Sequence, residues 1–287
     1  ARVDNGPEAL QTGWLGRLLD EHPPKPGQDS PALHIGGGRS PLAMKSKRVE
    51  VPSLERVDQF RLQVAGSSTE QRTARSAMSD VAKVDRGDDP LLGFMRRSTL
   101  AAYESSKRLE EVVGESSESS YPNSNLAGRL EQVSRIIKAG FGTRIYYTRQ
   151  DGYDTHANQL DTHSALLNEL SDSLAAFHDD LKEAGLADRV AVLVFSEFGR
   201  RVGENASYGT DHGAAAPVFV VGPVEQAGLI GAHPSLEEEE LDEGDLRFHT
   251  DFRRIYASML DNWLGVPASP VIGEGFGPLP LMPPARG

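Results

Sequence analysis

The sequence contains no cysteine, which excludes disulfides, thiolate zinc sites, iron–sulfur clusters and cysteine nucleophiles together. Any metal must be held by His, Asp or Glu. Basic residues are in deficit too: 30 Lys and Arg stand against 42 Asp and Glu, a formal charge of −12. Such a chain lacks the clustered positive footprint that polyanion binding requires, so nucleic acid is not an expected partner. Long hydrophobic runs are missing. Val190 to Phe195 is typical of the longest, far below the roughly 20 residues that span a bilayer, so no membrane span is expected. The chain opens Ala1-Arg2-Val3 without an initiator Met or a charged-then-apolar leader, and reads as a processed form or a piece of a longer chain. What is present suffices for a globular fold: 287 residues, 38% hydrophobic and 25% charged, a composition unlike that of disordered chains.

Residues 1–120 scatter their apolar side chains among Gly, Pro and Ser and keep little period. Leu33 to Ile35 reads as a short strand. The turn Gly36-Gly37-Gly38 after it lacks the Lys-Ser/Thr of a phosphate loop and reads as a plain glycine turn. Leu91 to Val113 has helical spacing, and Gly114 to Asn125 reads as a surface connection. This sets a division near residue 120, with an α/β core over 121–287.

The pattern sharpens in that core. Leu126 to Ala139 is an expected helix stopped by Gly140, and Thr143 to Thr148 an expected strand. Leu160, Leu167, Leu174 and Leu181, with His163, Leu170 and Phe177 between them, make one apolar stripe along a helix ended by Gly185. The apolar run Val190 to Phe195 reads as a strand covered on both faces. Strand, long helix and buried strand form a βαβ pattern, which implies a parallel crossover. The expected fold is three-layer α/β/α. Its sheet is mostly parallel, with Pro217 to Val221 as an antiparallel strand, because the roughly 20 residues before it have no helical period. Glu237 to Asp245 reads as a solvated acidic loop, and Thr250 to Leu264 as a closing amphipathic helix.

Three clusters carry possible chemistry. Tyr153-Asp154-Thr155-His156 and Ser196-Glu197-Phe198-Gly199-Arg200 each follow a strand, where open α/β sheets bind ligands. Gly209-Thr210-Asp211-His212-Gly213 joins the same rim if the next strand is antiparallel. Each cluster alone can also be a helix cap or a set of hydrogen-bonded polar groups. Together, Asp154, His156, Glu197, Asp211 and His212 offer the mixed oxygen and nitrogen donors of a divalent metal site, open to zinc, manganese, magnesium or calcium. Arg200 and Arg201 read either as surface arginines or as forked contacts to a phosphate, sulfate or carboxylate. His163 reads as a core or interface residue. Ser196 and Thr210 lie beside the clusters, yet neither has a base and orienter implied by spacing.

These motifs carry a resemblance. Gly152 to Gln159, Ser196 to Arg200, Gly209 to Gly213 and Asp251-Phe252-Arg253-Arg254-Ile255-Tyr256 resemble the bacterial domain of unknown function 1501 family. So do Gly13-Trp14-Leu15-Gly16-Arg17 and Gly231-Ala232-His233-Pro234-Ser235-Leu236. That family resembles the alkaline phosphatase and sulfatase superfamily. The resemblance implies an exported or cell-surface protein, made with a twin-arginine leader, that hydrolyses a small anionic phosphate or sulfate ester, or a sulfated or phosphorylated saccharide, at a metal centre. By the same resemblance Asp154 and His156 stand for a metal-binding pair, Glu197 replaces an aspartate at a strand end, and His212 matches a late ligand. Phe198 stands where many superfamily members have a ligand histidine, and the nucleophile falls before Ala1. The alternative expectation is a non-catalytic exported binding or cell-surface protein that keeps the fold.

Overall fold

The structure, a computed structural model, describes residues 12–25, 28–55 and 120–283. The helix expected at Leu91 to Val113 lies outside them. The chain divides into two compact units, one within Gln11–Arg149 and the other within Gln150–Gly287.

In the first unit, strands β1 (Ala32–Ile35), β2 (Ser53–Leu54) and β3 (Ile145–Tyr147) form a parallel sheet in the order β2-β1-β3. Register is set by His34 opposite Ser53 and by Leu33 opposite Tyr146. All four residues of β1 are buried, as expected of a central parallel strand. Helix α2 (Asn125–Lys138) packs on β1. Ser124 caps it by accepting from the Ala127 amide, and Gly140 leaves it at φ 70°.

Helix α1 (Trp14–Glu21) lies against the chain at Leu42–Met44. The approach requires glycine, because a Cβ on Gly16 would stand 1.9 Å from the Lys45 carbonyl oxygen. Asp20, at the far end of α1, accepts hydrogen bonds from the Ser46 hydroxyl and from the Lys47 and Arg48 amides. Burial pushes this carboxyl up, but those three bonds and the Arg48 charge outweigh it and hold the pKa below the usual carboxylate range. A depressed folded pKa gives stabilisation that is present above the unfolded carboxylate pKa and lost as pH falls through the folded value. Asp20→Asn is therefore expected to lower the urea midpoint at about pH 7 and to leave it nearly unchanged at about pH 2. Equal midpoints at both pH values would show that the carboxylate does not hold this junction.

In the second unit, β4 (Val192–Val194) pairs antiparallel with β7 (Phe219–Val221), and β5 (Gly199–Glu204) pairs antiparallel with β6 (Thr210–Gly213). The expected antiparallel strand near Pro217 to Val221 is present. The β5–β6 hairpin is additional: the irregular stretch before β7 is largely this hairpin and its loop. Helix α3 (Gln159–Glu183) ends as expected at Gly185, which has φ 68°. Val190, Val192 and Val221 face Phe177 and Leu181 of α3. The alternate residues Ala191, Leu193 and Val220 pack on a cluster of Met259, Leu281 and Met282. Strand alternation thus puts a helical element on each face of the β4–β7 ribbon. The closing helix begins as α4 (Phe252–Ala257) and continues as a π-helix over Ser258–Leu264. The tail holds one short helix, α5 (Ser269–Ile272).

The protein is mixed α/β, with a small parallel sheet and antiparallel strands. Among the described residues the strands form three separate sheets, and β3 and β4 belong to different ones. The strand–helix–strand run therefore does not close the expected parallel crossover. Apolar periodicity reports that a strand is covered, not which strand lies beside it. The leucine stripe of α3 is likewise buried only in part: Phe177 and Leu181 are covered, while Leu160 is 82% exposed. The 25-residue helix runs about 38 Å at 1.5 Å per residue, far beyond a ribbon of three-residue strands. Asp245 corrects the reading of the acidic segment as wholly solvated, since its Oδ2 accepts from the Ala214 amide at 2.8 Å just after β6.

Candidate metal centre

The 153–158 segment, which leads into α3, is clamped onto the β5–β6 hairpin. The Asn158 amide donates to the Ser207 carbonyl and the Gln159 amide to the Tyr208 carbonyl. Asn205 is the hub of the hairpin loop. Its side-chain oxygen accepts from the Ser207 and Gly209 amides, and its amide nitrogen donates to the His156 carbonyl at 3.1 Å. Tyr208 closes the turn at φ 61°. Sequence reading missed Asn205 and the hairpin because Tyr208 holds a left-handed position where Gly or Asn is the usual signal. Strand β5 is also exposed from Arg201 to Glu204 and shows no apolar alternation.

This clamp brings three of the five expected ligands together. Asp154 Oδ1 lies 2.9 Å from His156 Nε2 and 2.7 Å from His212 Nε2. Asp154, His156 and His212 form the group whose ligand atoms all fall within 4.8 Å of one another. The two imidazoles tilt by 38° with centroids 5.0 Å apart, so both Nε2 atoms converge on a single oxygen. The hydrogen bond from His212 is the largest influence and holds the Asp154 carboxyl below the usual range; desolvation opposes it, and the His156 bond and the imidazole charges add smaller lowering effects.

The other expected residues stand elsewhere. Asp211 Oδ1 lies 3.6 Å from His156 Nδ1, on the ring nitrogen opposite the cluster. At that distance the pair is an ion-pair contact rather than a hydrogen bond, and Asp211 stands outside the converging group. Glu197 is exposed in the bend before β5 and outside the group. Arg200 is engaged within the protein, donating to the Thr210 and Tyr153 carbonyls and, at 3.5 Å, to Thr155 Oγ1. It is a strut between the 153–155 segment and β6. Arg200 also lies 5.0 Å over the Phe198 ring, which stacks on His212 at 3.9 Å and 10°. Thr210 Oγ1 donates to Gln159, and Ser196 Oγ accepts a long bond from the Phe198 amide. His163 lies edge-on beneath Tyr153 at 5.7 Å.

The donor set fits a divalent ion. One carboxylate oxygen and two imidazole nitrogens converge with no protein cation among them, and ligands about 2.1 Å from an ion in neighbouring octahedral positions are themselves about 3.0 Å apart. About half of each imidazole and two-thirds of the Asp154 side chain are open to solvent, which leaves room for water or substrate oxygen to complete a shell. The fold and cluster thus define a mixed α/β protein with a candidate Asp–His–His metal centre. A family model described as Protein of unknown function (DUF1501) matches residues 1–265, and the chain belongs to that family. No curated protein and no solved structure matches it.

Proposed function

We propose that the chain is a divalent-metal-dependent hydrolase of phosphate or sulfate esters, of the alkaline phosphatase-like class. The observation that carries the metal is the convergence of His156 Nε2 and His212 Nε2 on Asp154 Oδ1. When bound, a divalent ion supplies Lewis-acid polarisation of an ester oxygen and lowers the pKa of a water or hydroxyl nucleophile. Asp154 contributes the charge and the two histidines neutral nitrogen donors. The ester class, a three-layer arrangement and export rest on the superfamily resemblance of the motifs. The mixed donors admit zinc, manganese, magnesium or calcium.

Elemental analysis after equilibration with these four ions tests the site. Stoichiometric metal is expected in the wild type and none in an Asp154→Ala, His212→Ala double variant. Equal near-zero metal in both would remove the proposal. Turnover of p-nitrophenyl phosphate or sulfate by the metal-loaded protein is the second expectation. One observation favours a different reading, a non-catalytic exported binding protein: Phe198 lays an apolar ring on His212, and Arg200 is bound to backbone carbonyls rather than facing a ligand. Metal binding without turnover would move this reading ahead.

A further inference from the structure

His34 stands at the carboxyl end of β1, in the unit without the metal cluster. Its side chain is fully buried, and its Nε2 has no hydrogen-bond partner among the described residues. The tautomer follows from the neighbours. The Ser53 hydroxyl donates its one proton to the Gly38 carbonyl, so at the 2.6 Å contact with His34 Nδ1 it must accept. Nδ1 therefore carries the ring proton and Nε2 is left as a buried acceptor. Burial first, then the charges of Arg149 and Arg129, push the imidazole pKa down and keep it neutral. Among the described residues nothing donates to it, an orphaned buried acceptor costs about 1–3 kcal/mol, and a donor carried by a bound ligand would recover that cost.

The surroundings say what carries that donor. Gly36 places no side chain beside the ring: a Cβ there would point between His34 Nε2, at 3.2 Å, and the Arg129 guanidinium carbon, at 3.8 Å. Arg129 donates to the Arg149 carbonyl, which ties the end of β3 to this rim. Thr148, one residue past β3, and Ser40, beyond the glycine turn, each carry a buried hydroxyl oxygen without a partner. Open α/β sheets bind ligands outside the carboxyl ends of parallel strands, where all these groups lie. Glu55 borders the turn, its carboxylate 3.9 Å from a Cβ placed on Gly37, and Arg149 and Arg129 both lie close enough to His34 to push its pKa down.

We propose that the Gly36–Gly38 turn binds inorganic phosphate, a small oxyanion that keeps a proton, with its O–H donated to His34 Nε2 and its charged oxygens against Arg129 and Arg149. Sulfate has the same shape and no proton to give. A phosphomonoester, with a second pKa of about 6, has also lost its proton at about pH 8. The acceptor therefore selects free phosphate over both.

Calorimetric titration of the whole chain, freed of metal by chelation at about pH 8, tests this with inorganic phosphate, sulfate and phenyl phosphate. Phosphate is expected to bind at least about tenfold more tightly than the other two. Arg129→Gln, at a half-buried position, is expected to weaken phosphate at least about tenfold. His34→Asn keeps a donor towards Ser53, and in a folded variant it should abolish the preference over sulfate. Binding should persist in the Asp154→Ala, His212→Ala variant, which separates this site from the metal cluster. Equal affinity for phosphate and sulfate, or for phosphate and phenyl phosphate, overturns the proposal. So does the absence of binding, or affinity indifferent to Arg129→Gln.

Discussion

Asp154→Ala is expected to bind a divalent ion at least about 100-fold more weakly than the wild-type chain, a larger loss than either His156→Ala or His212→Ala produces. The loss of partners that merely orient metal ligands typically costs 10–100-fold, and in the proposed centre Asp154 would itself be a ligand as well as the group that gathers both imidazoles in the metal-free protein. Its Oδ1 is the shared acceptor of both Nε2 atoms, so removing it leaves two half-exposed imidazoles with nothing to fix their directions. It also removes the one negative charge of the trio. Either histidine variant, by contrast, keeps the carboxylate and one nitrogen donor. Competition against a chromophoric chelator, at a pH where both histidines are neutral, gives the three affinities. If Asp154→Ala proved no weaker than the histidine variants, the carboxylate would be an exposed hydrogen-bond acceptor and the metal would lie elsewhere.

The Asp154–His156–His212 cluster is legible in the sequence as far as local chemistry determines it. Asp154 and His156 lie two residues apart after an expected strand, and His212 joins them if the expected strand Pro217 to Val221 is antiparallel; β7, within that span, pairs antiparallel with β4. Glu197 and Asp211 sit one residue from motif positions that do other work, and only three-dimensional placement separates them from the ligands. Asp211 and His212 are neighbours on β6, so their side chains leave opposite faces. His212 reaches Asp154, and Asp211 lies behind the His156 ring. Arg200 illustrates the same limit, because a sequence cannot show that its guanidinium is tied to the Tyr153 and Thr210 carbonyls. Among the fold elements, α2, α3 and their glycine stops follow from strong periodicity and capping. The pairing of β1 with β3 rather than β3 with β4 does not, because it joins residues more than a hundred positions apart.

Gly209→Ala is expected to dismantle the metal centre from outside it. A Cβ on Gly209 would lie 2.3 Å from the His156 carbonyl carbon and 2.7 Å from the Ala157 nitrogen. Both contacts are with backbone, so no side-chain rotation relieves them, and the hairpin must part from the 153–158 segment. That movement breaks the bonds from Asn158 and Gln159 to the hairpin loop and from Asn205 to the His156 carbonyl. His156 and Asp154 ride on one side of this seam and His212 on the other. Overpacking of this kind typically costs about 1–3 kcal/mol, and here the lost contacts are the ones that set ligand spacing. Metal affinity should therefore fall along with the thermal midpoint. Gly203→Ala is the matched control, since a Cβ at Gly203 in the same hairpin meets nothing within 4 Å, and both properties should stay at wild-type values. A Gly209→Ala chain with wild-type metal affinity would mean that the cluster is not positioned by this clamp. Loss of stability with unchanged affinity would mean the same, because the seam would then hold the fold without holding the ligands.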